Sequence, residues 1–149
     1  MPLVVAALAR ALAGQGLGAT ELDAGPLAAW ARYDFYGVAT GFALRPGGQG
    51  RVALTAAGGS IDRRAAVRIE TTAQFLVTPG AKSGLSPYGG IGVAYVGSRG
   101  RPGTGALVAL VGVEAAAGRR RGWFGELGLG GGLRMRLGYR WRRFPPWWS

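Results

Sequence analysis

The chain has 149 residues and a formal net charge of +11, and it contains no His, Cys or Asn. Histidine-based triads, zinc sites with thiolate or imidazole ligands, thiol redox chemistry and disulfides are therefore excluded. The length suits one domain with room for a closed barrel of eight short strands but not for a wide pore.

No uncharged stretch reaches the roughly 20 residues that a spanning helix needs, so a membrane location requires strands. Lys82 is the only lysine among the 18 basic residues. A composition leaning on Ala, Gly, Arg, Leu and Val is that of high-GC coding sequence, which accounts for part of the charge.

Residues 1–13 carry an apolar core from Leu3 to Ala9 and then Ala11-Leu12-Ala13, a small-residue cleavage pattern, so they read as a signal peptide. Arg10 and the lack of a basic leading region fit a short N-terminal helix equally well. Gly14, Gly16 and Ala19 spell G-x-G-x-x-A, but no strand precedes them and no βαβ unit follows, and no cofactor is expected. Residues 14–144 are assigned to a β-barrel and 145–149 to a C-terminal tail.

From residue 29 onward the chain keeps a period of two between Gly/Pro/Arg-rich turns, the signature of antiparallel strands. Ala31, Tyr33, Phe35, Gly37, Ala39 and Ala43 form one face of the first clear strand. Arg32, Asp34, Tyr36, Val38 and Thr40 form the other, assigned as polar, and residues 45–50 (RPGGQG) form its turn. Residues 51–58 make a weaker strand. Over 65–77, Val67, Ile69, Phe75 and Val77 alternate with Arg68, Glu70, Thr72 and Gln74. Ile91, Val93 and Tyr95 then oppose Gly90, Gly92 and Ala94, and Leu107, Val111 and Val113 oppose Gly112 and Glu114.

The stretch from Trp123 to Trp141 alternates without a slip. Trp123, Leu127, Leu129, Leu133, Met135, Leu137, Tyr139 and Trp141 take one face; Glu126, Arg134, Arg136, Arg140 and glycines take the other. Glycines at 125, 128, 130, 131, 132 and 138 would each cost about 1 kcal/mol against alanine in a helix interior, which excludes a helix. A hairpin loop at 130–132 keeps the faces separate by setting Leu129 opposite Leu133, Leu127 opposite Met135 and Trp123 opposite Tyr139. Glu126 then lies opposite Arg136, an expected ion pair. Trp123, Tyr139 and Trp141 gather at the open end of the hairpin as an aromatic girdle of the kind found at a membrane interface.

Leu133-x-Met135-x-Leu137-x-Tyr139-x-Trp141 resembles the closing strand of small bacterial outer-membrane β-barrels, with its alternating hydrophobics, penultimate Tyr and final aromatic. The resemblance implies an all-β, antiparallel up-and-down transmembrane barrel, handled by the barrel-insertion machinery and located in the outer membrane. Seven strands are legible. A barrel with both termini on one side needs an even count, so an eighth is placed in the weakly patterned residues 17–27.

Arg32, Asp34, Arg68, Glu70, Glu114, Glu126, Arg134, Arg136 and Arg140 share the polar parity and are assigned to a lumen charge network, since buried charges must be paired. The alternative is a soluble, periplasmic or secreted lipocalin-like barrel with an apolar interior and an apolar ligand. A nucleic-acid module is disfavoured because Arg63, Arg64, Arg99, Arg101, 119–121, Arg142 and Arg143 are spread over several turns instead of tracking one groove. Anionic lipid headgroups suit these turn arginines better. Neither metal nor catalytic residues are expected. The reading is of a monomeric envelope barrel that is not an enzyme and has no wide pore.

Overall fold

The computed structural model describes residues 18–31 and 34–148, apart from the side chain of Arg101. The segment expected as signal peptide or helix, 1–13, lies outside the described residues, as do Arg32 and Tyr33. Eight antiparallel strands follow one another: β1 (Ala19–Trp30), β2 (Phe35–Gly47), β3 (Gly50–Ile61), β4 (Arg64–Leu76), β5 (Leu85–Ser98), β6 (Arg101–Ala115), β7 (Arg121–Gly130) and β8 (Leu133–Arg143). Each pairs with the next, and β8 pairs back to β1 from Thr20↔Arg143 to Trp30↔Leu133. Closure leaves no free edge, which is the requirement for a sheet surrounded by lipid.

β1 supplies the eighth strand expected within 17–27, and it runs on to Trp30. Its pattern is faint because small residues stand on both faces: Gly25 and Ala29 point inward with Glu21, Asp23 and Leu27, while Ala24 and Ala28 point outward with Leu22.

The two ends differ in their connections. At the end away from the chain termini the strands join through 31–34, 62–63, 99–100 and 131–132. Asp62 and Arg63 both take positive φ (49° and 63°), the mirror-image turn whose twist matches the flanking strands. At the terminal end the joins are 48–49, 77–84 and 116–120. The closing hairpin has the expected register: Leu129↔Leu133, Leu127↔Met135, Glu126↔Arg136 and Trp123↔Tyr139. Gly131 turns it with a φ of 75°.

One face assignment is reversed. In β2 the odd residues Phe35, Ala39 and Ala43 are buried, while Tyr36, Val38, Phe42 and Leu44 face outward. The expected strand ends at residue 43, with 45–50 as its turn. With the strand carried on to Gly47, the odd face becomes Phe, Gly, Ala and Arg45 and the even face becomes the larger apolar set. Small residues and one arginine mark the crowded inside of a narrow barrel. In β4 to β8 the expected parity is the observed one.

Candidate functional site

The outer wall is apolar on every strand, with Leu107, Ile91 and Val38 exposed to 81%, 70% and 68%. Trp123, Tyr139 and Trp141 lie on it at the terminal end, and the rings of Tyr139 and Trp141 meet edge-on at 5.2 Å. A second aromatic level, not anticipated from the sequence, stands at the other end. There Trp30 Nε1 donates to Tyr36 Oη at 2.8 Å, and Tyr95 is exposed near the end of β5. Its members come from three strands, so alternation within any one strand does not reveal it.

The inside holds the charge. Among the described residues, seven arginines (45, 51, 68, 134, 136, 140, 142) and five acids (Glu21, Asp23, Glu70, Glu114, Glu126) are buried. Of the residues assigned to the network from sequence, Arg68, Glu70, Glu114, Glu126, Arg134, Arg136 and Arg140 are among them. Asp34 is not: it is exposed just before β2 and accepts a hydrogen bond from Ala31 N at 3.2 Å. It precedes a strand whose parity is opposite to the one assumed.

Five buried charges were missed. Glu21 and Asp23 sit on the faint strand β1. Arg45 falls in the expected turn 45–50, although the turn occupies only 48–49; Arg51 opens the weaker expected strand 51–58, to which no face is assigned; and Arg142 is counted with the turn arginines although it continues the inward parity of 134, 136 and 140. Following parity past Trp141 was the available signal.

The charges form a continuous set of contacts. Nearest the tight-turn end, Glu70 accepts Arg68 Nε at 2.7 Å and Arg134 Nη2 at 2.7 Å, and Arg134 Nη1 reaches Glu126 at 3.0 Å. At mid-height Glu126 and Arg136 are cross-strand neighbours, yet Arg136 Nη2 pairs with Asp23 across the β8–β1 seam. Glu126 takes Arg134 and the hydroxyl of Tyr88 (2.8 Å) instead. Backbone register therefore predicts proximity and not the partner, because a long guanidinium arm reaches over several neighbours. The guanidinium of Arg140 stacks 4.1 Å above the Phe124 ring. Glycines leave the space these groups occupy: a Cβ at Gly41 would stand 2.6 Å from Asp23 Oδ1, and one at Gly112 would stand 2.6 Å from Tyr88 Cζ.

At the terminal end Glu21 and Glu114 are surrounded by arginines. Arg51 Nη1 donates to Glu21 at 2.9 Å and Glu114 at 3.0 Å, Arg45 Nη1 reaches Glu21 at 3.3 Å, and Arg140 Nη1 binds Glu114. Arg142 stands at 3.6 Å from both carboxylates. The longer loops fold over this cluster and are tied to it. Arg45 donates to Ala117 O at 2.8 Å and Pro79 O at 2.5 Å, and Arg142 donates to Arg119 O at 3.0 Å. Ser86 Oγ accepts from Ala117 N at 3.0 Å, and Trp148 of the tail donates to Gly118 O at 2.7 Å. This end is closed.

The opposite end holds a cavity of about 540 Å³ with mostly apolar walls, including Ala29, Phe35, Ile61 and Val96, and with Arg68 among its lining residues.

Sequence comparison finds nothing: no family model and no curated protein matches. The fold does have likenesses among solved structures. The crystal structure of the outer membrane protein OprG from Pseudomonas aeruginosa aligns with a TM-score of 0.67 at 11% identity, over 89% of this chain and 99% of that one. The N-terminal β-barrel domain of Pseudomonas aeruginosa OprF aligns with a TM-score of 0.64 at 24% identity, over 87% and 100%. Neisserial surface protein A aligns with a TM-score of 0.51 at 14% identity, over 84% and 95%. The chain thus has the fold of small eight-stranded outer-membrane barrels.

Proposed function

We propose that this chain is an integral β-barrel of the bacterial outer membrane with a structural role in the envelope, neither a wide pore nor an enzyme. One observation carries the reading: apolar side chains cover the outside of the wall while twelve charged residues are buried within it. In water such a molecule would expose its apolar surface and bury its charge. In a bilayer both faces meet a suitable environment. The soluble lipocalin-like alternative needs the reverse arrangement.

The interior ion pairs and the closed terminal end support the absence of a wide channel. Each buried carboxylate contacts at least one guanidinium, an arrangement that suits cohesion more than proton transfer. The closing strand Leu133 to Trp141 supports recognition by the insertion machinery. Arg63, Arg64, Arg99, Arg119, Arg120, Arg121 and Arg143 are exposed at the two rims, where anionic headgroups would meet them. The barrel acts as a monomer and binds no nucleic acid. A second reading, an apolar ligand in the mouth cavity, rests on that cavity's apolar lining.

Single cysteines at 135 and 136 test the membrane reading in this Cys-free chain. A bilayer-restricted probe should label the residue replacing Met135 and spare the one replacing Arg136; the opposite pattern would overturn it. In planar bilayers no large stable conductance is expected, and a steady open level would refute the sealed interior.

A further inference from the structure

Among the described residues the interior charges do not balance, and the imbalance is local. Asp23 is matched by Arg136, and Glu70 and Glu126 are matched by Arg68 and Arg134. What remains is the terminal-end cluster, where four arginines (45, 51, 140, 142) gather on two carboxylates, Glu21 and Glu114, with Arg140 also reaching Asp23 at 3.5 Å and Glu126 at 3.7 Å. An excess of two positive charges is thus confined where the side chains of Arg45, Arg51 and Arg142 are fully buried.

Unsatisfied donors collect in the same place. Six buried side-chain nitrogens make no hydrogen bond to a described residue, and five of them belong to these four arginines: Arg45 Nε, Arg51 Nη2, Arg140 Nε, and Nε and Nη2 of Arg142. The last three stand 3.6–3.8 Å from Glu21 or Glu114, within ion-pair range but beyond a hydrogen bond. Buried donors are ordinarily paired, and a buried charge without a counter-charge costs several kcal/mol. The backbone carbonyls of Ala117, Pro79 and Arg119 take other N–H groups of Arg45 and Arg142, but they bring no negative charge.

We propose that the cluster of Arg45, Arg51, Arg140 and Arg142 holds a small inorganic anion of halide size as a resident structural ligand. The anion accepts from N–H groups that make no hydrogen bond and removes part of the excess charge. A larger anion is disfavoured because the end is covered by 77–84, 116–120 and the tail. Water could accept the same hydrogen bonds but would leave the charge uncompensated, so the two occupants differ in a measurable way.

The test uses the full chain folded in a maltoside detergent, with ionic strength held constant while sodium chloride replaces sodium gluconate. The unfolding temperature should rise with chloride and level off as a one-site isotherm, by roughly 5 °C at 0.1 M. Arg142→Met, which removes one surplus charge, should be more stable than the parent in gluconate and should lose most of the chloride response. Arg120→Met, in the exposed 116–120 loop, should keep it. Crystals of the unaltered protein soaked in bromide should show an anomalous peak beside Arg51 and Arg142. Equal unfolding temperatures in the two salts, an equal loss of response in both variants, or no bromide peak in the cluster would each overturn the proposal. None of these results depends on which face of the wall meets lipid, so its failure is separable from failure of the membrane reading.

Discussion

The two ends of the barrel interior solve the same packing problem differently. The terminal end is filled with four arginines, two glutamates and inward-folded loops, and Glu114 is wholly buried. The tight-turn end is lined by Ala29, Phe35, Ile61 and Val96 and keeps a cavity of about 540 Å³. Cohesion at the first end comes from charge-assisted contacts that must all be satisfied together. At the second it comes from dispersed apolar contact that tolerates a gap. One removed atom therefore matters more at the first end than one added side chain at the second.

The largest expected effect is at Glu114, whose carboxylate serves Arg51 and Arg140 with Arg142 close by. Glu114→Gln should lower the free energy of unfolding in detergent or lipid by about 3–5 kcal/mol, the cost of leaving a buried charge uncompensated. A loss near zero would mean that water fills this end and would remove the contrast. Tyr88→Phe deletes a hydroxyl that donates to Glu126 at 2.8 Å; about 1.5–3 kcal/mol should be lost, read from urea midpoints at constant slope.

A smaller quantity decides between two partners of Glu126. Double-mutant cycles with Glu126→Gln should give a coupling to Arg134→Met about 1 kcal/mol larger than that to Arg136→Met, because Arg134 makes the 3.0 Å contact and Arg136 is committed to Asp23. Equal couplings would restore the pairing suggested by strand register. The smallest effect belongs to the mouth. Ala106→Leu points into the cavity and should change stability by less than about 1 kcal/mol in unfolding titrations, since the added volume has space to enter. A large loss there would show the two ends to be equally packed.

Much of the fold was legible because alternation on a strand is a local property. Residues 65–77 and 123–141 carry large apolar side chains on one face and charge on the other, and their parity and hairpin register are those observed. Alternation misled in β2, where the inward residues are Gly, Ala and Phe and the arginine that identifies the inner face lies at the strand's end. Glu21 and Asp23 were illegible for a related reason: alanines and Gly25 flatten the contrast between the faces of β1. Small residues are required inside a narrow barrel, and they are also the residues that erase the hydropathy signal.

The sequence by itself determined the class of structure. It excluded histidine and thiol chemistry, and zinc sites with thiolate or imidazole ligands, by composition, and it required strands by glycine content and period. Side-chain direction follows from backbone pleat and needs no distant partner. Only the tertiary structure decided which carboxylate meets which guanidinium, that the charge surplus gathers at the terminal end, and that loops and tail close over it. Those contacts join residues such as Arg51 and Glu114, or Arg45 and Ala117, that are 63 and 72 positions apart. Barrel closure brings them together by fixing the strand order and stagger, a global geometry that no local pattern of residues encodes.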